Sequence, residues 1–203
     1  MALVLVAGGL LVERTVAASA PPTTTSTTTT TSTTTTTLAP TTTTPTTIPV
    51  GSLPQTTQLP NAADPAFQQR MAIFWAAVRT GDVASALPAF FPEGAYIQVK
   101  AEGDAAWDWQ TRLVGQYDQA ITTLHQELAR PGTELTYVTT QVQPGGATWM
   151  PPGSEFNKGP YWRTLYSVLS YRATPTGPIQ QQSILDLDSW RGQWYIIHVL
   201  SFT

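Results

Sequence analysis

The chain has 203 residues, no cysteine and a formal net charge of −3. The missing cysteine excludes disulfides, thiolate metal sites, a cysteine nucleophile and a lipidated-cysteine anchor. The weak acidic balance argues against a phosphate-binding surface, so nucleic acid is not an expected partner.

Residues Ala2 to Val12 form an apolar run of 11, shorter than the ~17 to 25 residues of a spanning helix. The run fits a signal-peptide core, with Ala18-Ser19-Ala20 as a small-residue cleavage pattern, although Pro21 is unfavourable after it and cleavage after Ala18 is an alternative. No basic residue precedes the run. Residues 1–20 therefore read either as an export signal whose start lies further upstream or as the truncated end of a membrane anchor, a possible tether.

From Thr23 to Thr47, 19 of 25 positions are threonine. So few apolar side chains cannot offset the entropy of ordering, and Ser/Thr-rich tracts with proline have the composition of O-glycosylated spacers. Residues 21–63 are expected to form a disordered stalk. The folded part is then expected outside the cell membrane, secreted or attached to the cell surface. No charge occurs between Thr15 and Ala63, and the next charged residue, Asp64, opens the expected domain of residues 64–203.

Asp64-Pro65 is a helix start, because Asp caps free N–H groups and Pro at the first helical position loses none. Phe67, Met71, Phe74, Trp75 and Val78 then recur at helical spacing up to Arg79, and Gly81 ends the helix. Asp82 caps a short second helix through Leu87, which Pro88 distorts and Pro92 terminates. A strand is predicted over 95–100. A second long helix runs from about Asp104 to before Pro131, its stripe carrying Trp109, Leu113, Tyr117, Ile121, Leu124 and Leu128. Asp108 and Arg112 sit four apart on it as a solvated surface pair.

Beyond Pro131 the period changes to two. Strands are predicted over 135–142, 161–172, 179–190 and 193–202, with Arg191-Gly192 as a two-residue hairpin turn. Helices first and strands later define an α+β domain, with helices on a curved, mostly antiparallel sheet. Extending the ladder from that hairpin places Leu185, Leu187, Trp194, Ile196, His198, Leu200 and Phe202 on a helix-packed face. It places Asp186, Asp188, Gln193 and Tyr195, with Ile197 and Val199, on a partly solvated one. Closing the preceding hairpin adds Tyr161, Arg163, Leu165 and Leu169 to the face of His198.

Phe74-Trp75, Arg79-Thr80-Gly81-Asp82 with Ala86-Leu87, and the terminal Trp194-Tyr195-Ile196-Ile197-His198 resemble the opening and the last strand of the nuclear transport factor two-like superfamily. That superfamily includes SnoaL-like and ketosteroid-isomerase-like proteins. The Trp149 to Asn157 segment is also similar to secreted actinobacterial proteins without an assigned role. The resemblance implies a cone-shaped fold with a cavity between sheet and helices, and no particular chemistry. The isomerase machinery of buried carboxyl and hydroxyl groups is not carried over, because Asp186 and Asp188 fall on the face away from His198.

His198, between Ile196 and Leu200 on its own face, is either a partly desolvated base or ligand-orienting donor, or a core histidine bonded to backbone or a tyrosine. Arg163 either clamps an anionic group or pairs with a helix carboxylate such as Asp118. Two distant histidines without spaced acidic partners do not suggest a metal site, and no cofactor is expected. The loop of residues 143–159 offers Trp149, Met150 and Phe156 as lid or partner-binding groups, unless Trp149 and Phe156 fold back to plug the cavity. The expected binding residues are Tyr161, Arg163, Trp149 and His198. Two functions stand side by side. One is a non-catalytic binding or assembly module with an apolar pocket for a small apolar ligand or a protein partner. The other is a pocket enzyme of isomerase or hydrolase type in which His198 is the catalytic residue. Acid, base and oxyanion donor converging in one cavity distinguish the enzyme from the module.

Overall fold

A computed structural model describes residues 48–143 and 145–199; the expected signal and most of the expected stalk, with residues 200–203, lie outside the described residues. Helix α1 (Pro65–Thr80) starts where Asp64 accepts the Ala66 N–H at 2.9 Å and stops at Gly81, whose φ of 74° suits glycine. Its apolar face, Phe67, Met71, Phe74, Trp75 and Val78, is fully buried. Asp82 caps α2 (Val83–Ala86), and Pro88 sits in a 3-10 turn over Leu87–Ala89.

The strand predicted over 95–100 is a helix, α3 (Glu93–Val99). Its β-favouring Tyr96, Ile97 and Val99 are overruled by packing. The helix buries Ala95, Tyr96 and Val99 together, and Gln98 Nε2 donates to the carbonyl of Gly51 at 2.6 Å. Pro92 at the cap and Glu93 in the first turn were the start signal that the β-branched run obscured. The second long helix is continuous but not uniform. Helix α4 (Ala105–Asp108) passes through a π turn, Trp109–Leu113, into α5 (Val114–Leu128). Such turns cluster at functional sites.

Strands β1 (Thr136–Gln141), β3 (Tyr161–Arg172), β4 (Ile179–Trp190) and β5 (Gln193–His198) form an antiparallel sheet in that spatial order. Strand β2 (Thr148–Met150) pairs with β3 beside β1. Helices pack on this curled half-barrel, an α+β architecture consistent with the cone. Arg191 and Gly192, at φ 52° and 71°, make the predicted two-residue turn and pair Trp190 with Gln193. Phe91 N–H bonds the Ile196 carbonyl at 2.9 Å and covers the free edge of β5. The core joins helices to sheet through aromatic contacts, among them Phe90 stacked on Tyr117 at 3.6 Å and Trp75 against Tyr171 at 4.5 Å.

The packed unit begins before Asp64. Residues 48–63, counted with the stalk on composition, lie across the sheet as a strap. Trp190 Nε1 donates to Val50 O, Gln55 Nε2 to Ser189 O and Trp162 Nε1 to Thr57 O, at 2.8 to 3.0 Å, and Gln55 Oε1 accepts the Arg191 N–H at 2.6 Å. Uncharged and adjacent to the threonine tract, the strap carries no periodicity that betrays its role. A chain beginning at residue 64 should therefore be at least about 2.5 kcal/mol less stable than one beginning at residue 48, at roughly 0.5 kcal/mol for each of these four bonds and the Gln98–Gly51 bond. Urea unfolding of the two chains checks this, and coincident midpoints contradict it.

Candidate active site

The ladder between β4 and β5 is regular from Trp190↔Gln193 to Leu187↔Ile196, then shifts so that Asp186 pairs with His198. This bulge leaves Ile197 as the extra residue and rotates His198 onto the face of Asp186 and Asp188. The face assignment that separated the carboxylates from His198 is thereby overturned: a regular ladder would have set Asp186 opposite Ile197. Nor is that face solvated. Asp186 is 2% and Asp188 6% exposed, and Tyr195 is buried against Phe91.

Tyr161, Arg163, Asp186, Asp188, Ile197 and His198 line one cavity of about 110 Å³, closed by Tyr96 and Lys100 at the end of α3, Arg112 and Leu113 of the π turn, and Glu155. Three of the four expected binding residues, Tyr161, Arg163 and His198, therefore meet. Trp149 does not join them; it pairs across the ladder with Trp162, ring centroids 5.2 Å apart. Phe156 is 81% exposed and plugs nothing. Leu165, expected inside, is partly exposed on an outer groove. A larger groove of about 470 Å³ runs along β1 beside Gln68, but no titratable side chain lines it.

The ion pairs fix the cavity's charge. Arg163 Nη2 donates to Asp186 Oδ2 at 2.5 Å, and its Nη1 to both Glu155 oxygens at 2.7 and 2.8 Å. Asp118, the helix partner considered from sequence, is exposed and takes no part. Arg112 binds Asp108 at 2.7 Å and donates to the Tyr96 hydroxyl at 2.6 Å, while Tyr96 donates to Asp108 at 2.5 Å. The expected surface pair is thus tied into the cavity wall. Asn157 Nδ2 donates to the Tyr161 hydroxyl at 2.9 Å.

Burial sets the protonation states. Asp188 is pushed well above the usual carboxylate range by desolvation and then by the charge of Asp186. Asp186 is raised less far, since Arg163 opposes its desolvation. Both leave Oδ1 without a partner among the described residues. Desolvation, reinforced by Arg112, Arg163 and Lys100, lowers the His198 imidazole to about 4. Its ring is neutral at physiological pH. The sign follows: unfolded histidine titrates near ~6.5, so the stability carried by neutral His198 is complete above that pH and is lost as pH falls through about 4. An NMR titration should show the His198 ring neutral at pH 5.5, and a midpoint at 6.5 or above contradicts this account.

Compared with protein-family models, curated proteins and solved structures, the chain finds no match. Among the described residues, no helix is long and apolar enough to cross a membrane, and no three His, Asp or Glu side chains are grouped to hold a metal ion. Sequence reasoning missed Asp186, Asp188, Glu155 and the Tyr96–Arg112 wall. The signal for the first two was present as Asp-x-Asp within the apolar Ile184 to Trp190 run, where unpaired carboxylates are costly to bury.

Proposed function

We propose that the domain is a pocket enzyme that moves a proton on a small oxygen-bearing substrate, presented outside the cell on the threonine-rich stalk and belonging to the nuclear transport factor two-like superfamily. The observation that carries the reading is the convergence of Asp186, Asp188 and Tyr161 in one cavity, with the proton affinities of the two carboxyls set apart by their environments. Asp186, oriented through Oδ2 by Arg163, has Oδ1 free to accept a proton, and its raised affinity for one suits a general base. Asp188, neutral, is a donor. Tyr161 accepts from Asn157 and so keeps its own hydrogen for the pocket.

With a carbonyl substrate, Asp186 takes the proton from the α-carbon, the C–H electron pair forms the carbon–carbon double bond of the enolate, and the carbonyl π pair moves onto the oxygen. Asp188 and Tyr161 stabilise the developing oxyanion by hydrogen bonding. Neutral His198 borders the same oxygen-binding space as an orienting group. Return of a proton from Asp186 completes isomerisation or exchange without net consumption of any reagent.

Proton NMR in D₂O tests the reading with 2-butanone. The full chain should accelerate deuteration at the α-carbons over buffer, and Asp186→Asn should remove the acceleration. The binding-module reading predicts that 2-butanone perturbs cavity resonances with no acceleration at all, and that result overturns the enzyme.

A further inference from the structure

The cavity is too small for a whole substrate. At about 110 Å³ it falls short of the ~150 Å³ that holds one benzene ring, so it accepts a functional group and little of the carbon skeleton behind it. The remainder must leave the cavity, and among the described residues an adjoining space can receive it. An outer groove of about 390 Å³ lies beside β2 and β3, and Glu155 and Arg163 line it as well as the inner cavity. Its wall presents Met150, Leu165 and Tyr166. Tyr166 is 60% exposed and has φ 57°, unusual for a residue inside a strand. Leu165 is also partly exposed. Glu155, at φ 49°, is held in a left-handed conformation at the boundary, the kind of local strain that gathers at functional sites.

The Glu155–Arg163 contact is the partition. Glu155 is half exposed, and one guanidinium nitrogen serves both of its oxygens, so the pair is of the weak, solvent-screened kind. Arg163 keeps its buried partner Asp186 when Glu155 withdraws. Head-group chemistry follows from the charges. With Asp188 protonated, as the proposed mechanism has it, Lys100, Arg112 and Arg163 equal in number Glu155, Asp186 and the Asp108 behind the wall, Arg163 pairing with both Glu155 and Asp186, so the site carries no net charge to recruit an ion.

Building on the proposed proton-transfer site, we infer that its substrates are neutral amphipathic molecules, whose oxygen-bearing head enters the inner cavity while an apolar tail passes the Glu155–Arg163 partition into the groove of Met150, Leu165 and Tyr166. The tail supplies binding energy remote from the reacting atoms.

The test uses the full chain, labelled at methionine methyls and aspartate carboxyls, with 2-butanone and 2-octanone as probes. Both ketones should shift the Asp186 and Asp188 carboxyl signals, and only 2-octanone should shift the Met150 methyl. Affinity should rise about two- to fourfold per methylene that enters the groove. Leu165→Ala, which adds no charge beside its ladder partner Asp186, should cut that increment while 2-butanone still shifts both carboxyl signals. If 2-octanone moves the carboxyl signals and not Met150, or if Leu165→Ala leaves the increment intact, the groove assignment is wrong while the inner site stands. If neither ketone moves the carboxyl signals, the inner site itself is refuted, and the tail assignment falls with it.

Discussion

Asp188→Asn should make the protein more stable and, at the same time, about 10²- to 10⁴-fold slower in ketone deuteration, the usual contribution of a positioned acid or base. Asparagine has nearly the shape of a protonated carboxyl and carries no charge to desolvate. Asp188 is buried, its Oδ1 has no partner among the described residues, and burial and Asp186 hold its affinity for protons well above the ordinary range. The expected gain at pH 7 is about 1 to 3 kcal/mol, because asparagine is spared the proton uptake that a carboxyl of raised proton affinity requires on folding. Its pH dependence has a definite sign. With the folded value raised above the unfolded ~3.9, native Asp188 contributes stability that is complete below the unfolded value and lost as pH rises toward the folded one. The advantage of Asp188→Asn should therefore vanish near pH 3 and grow toward neutrality. Urea unfolding at several pH values measures it; a loss of stability at pH 7 would falsify the neutral assignment.

Trp194→Ala should cost about 3 to 5 kcal/mol, the range for truncating a buried large aromatic. Trp194 is 1% exposed, in β5 next to Ile196, whose neighbour across the strand edge, Phe90, reaches the core rings of Phe74 and Tyr117. Its indole N–H is buried without a partner among the described residues. Trp194→Phe removes that orphaned donor while keeping most of the ring, so it should cost less than half as much. Equal losses for the two variants would show that the indole N–H, and not the filled volume, determines the effect.

Both variants belong to the strand whose reading separates what the sequence discloses from what it withholds. Helix α1 was legible because its cap, its stop glycine and its apolar period agree, and β3 and β4 were legible because alternation and turn residues agree. Those signals are local. The α3 segment failed because Tyr96, Ile97 and Val99 prefer strands locally, whereas the helix buries Ala95, Tyr96 and Val99 in the core and Gln98 bonds the Gly51 carbonyl, contacts distant in sequence. The inner cavity failed for a related reason. A one-residue bulge leaves no mark in composition, yet it decides whether His198 shares a face with Leu185 or with Asp186. Tyr161 and Arg163 were grouped with His198 through two errors that cancel: β3 pairs Arg163 with Asp188, one residue away from the hairpin expected from sequence, and the bulge carries His198 to that same face. Glu155 was not, since its position depends on how the Pro151 to Gly159 loop returns to Val99 through the Lys158 and Gly159 N–H groups.

On the proposed reading, Asp186 and Asp188 divide their protonation between them, one a base and one an acid, in the same cavity. Carbon NMR of the aspartate carboxyls in the full chain, titrated from pH 3 to pH 9 and assigned with Asp186→Asn and Asp188→Asn, measures this directly. The account predicts that Asp188 remains protonated at pH 7, that Asp186 loses its proton at lower pH than Asp188, and that removing either residue shifts the titration of the other. Two carboxyls titrating independently near pH 4 would contradict it.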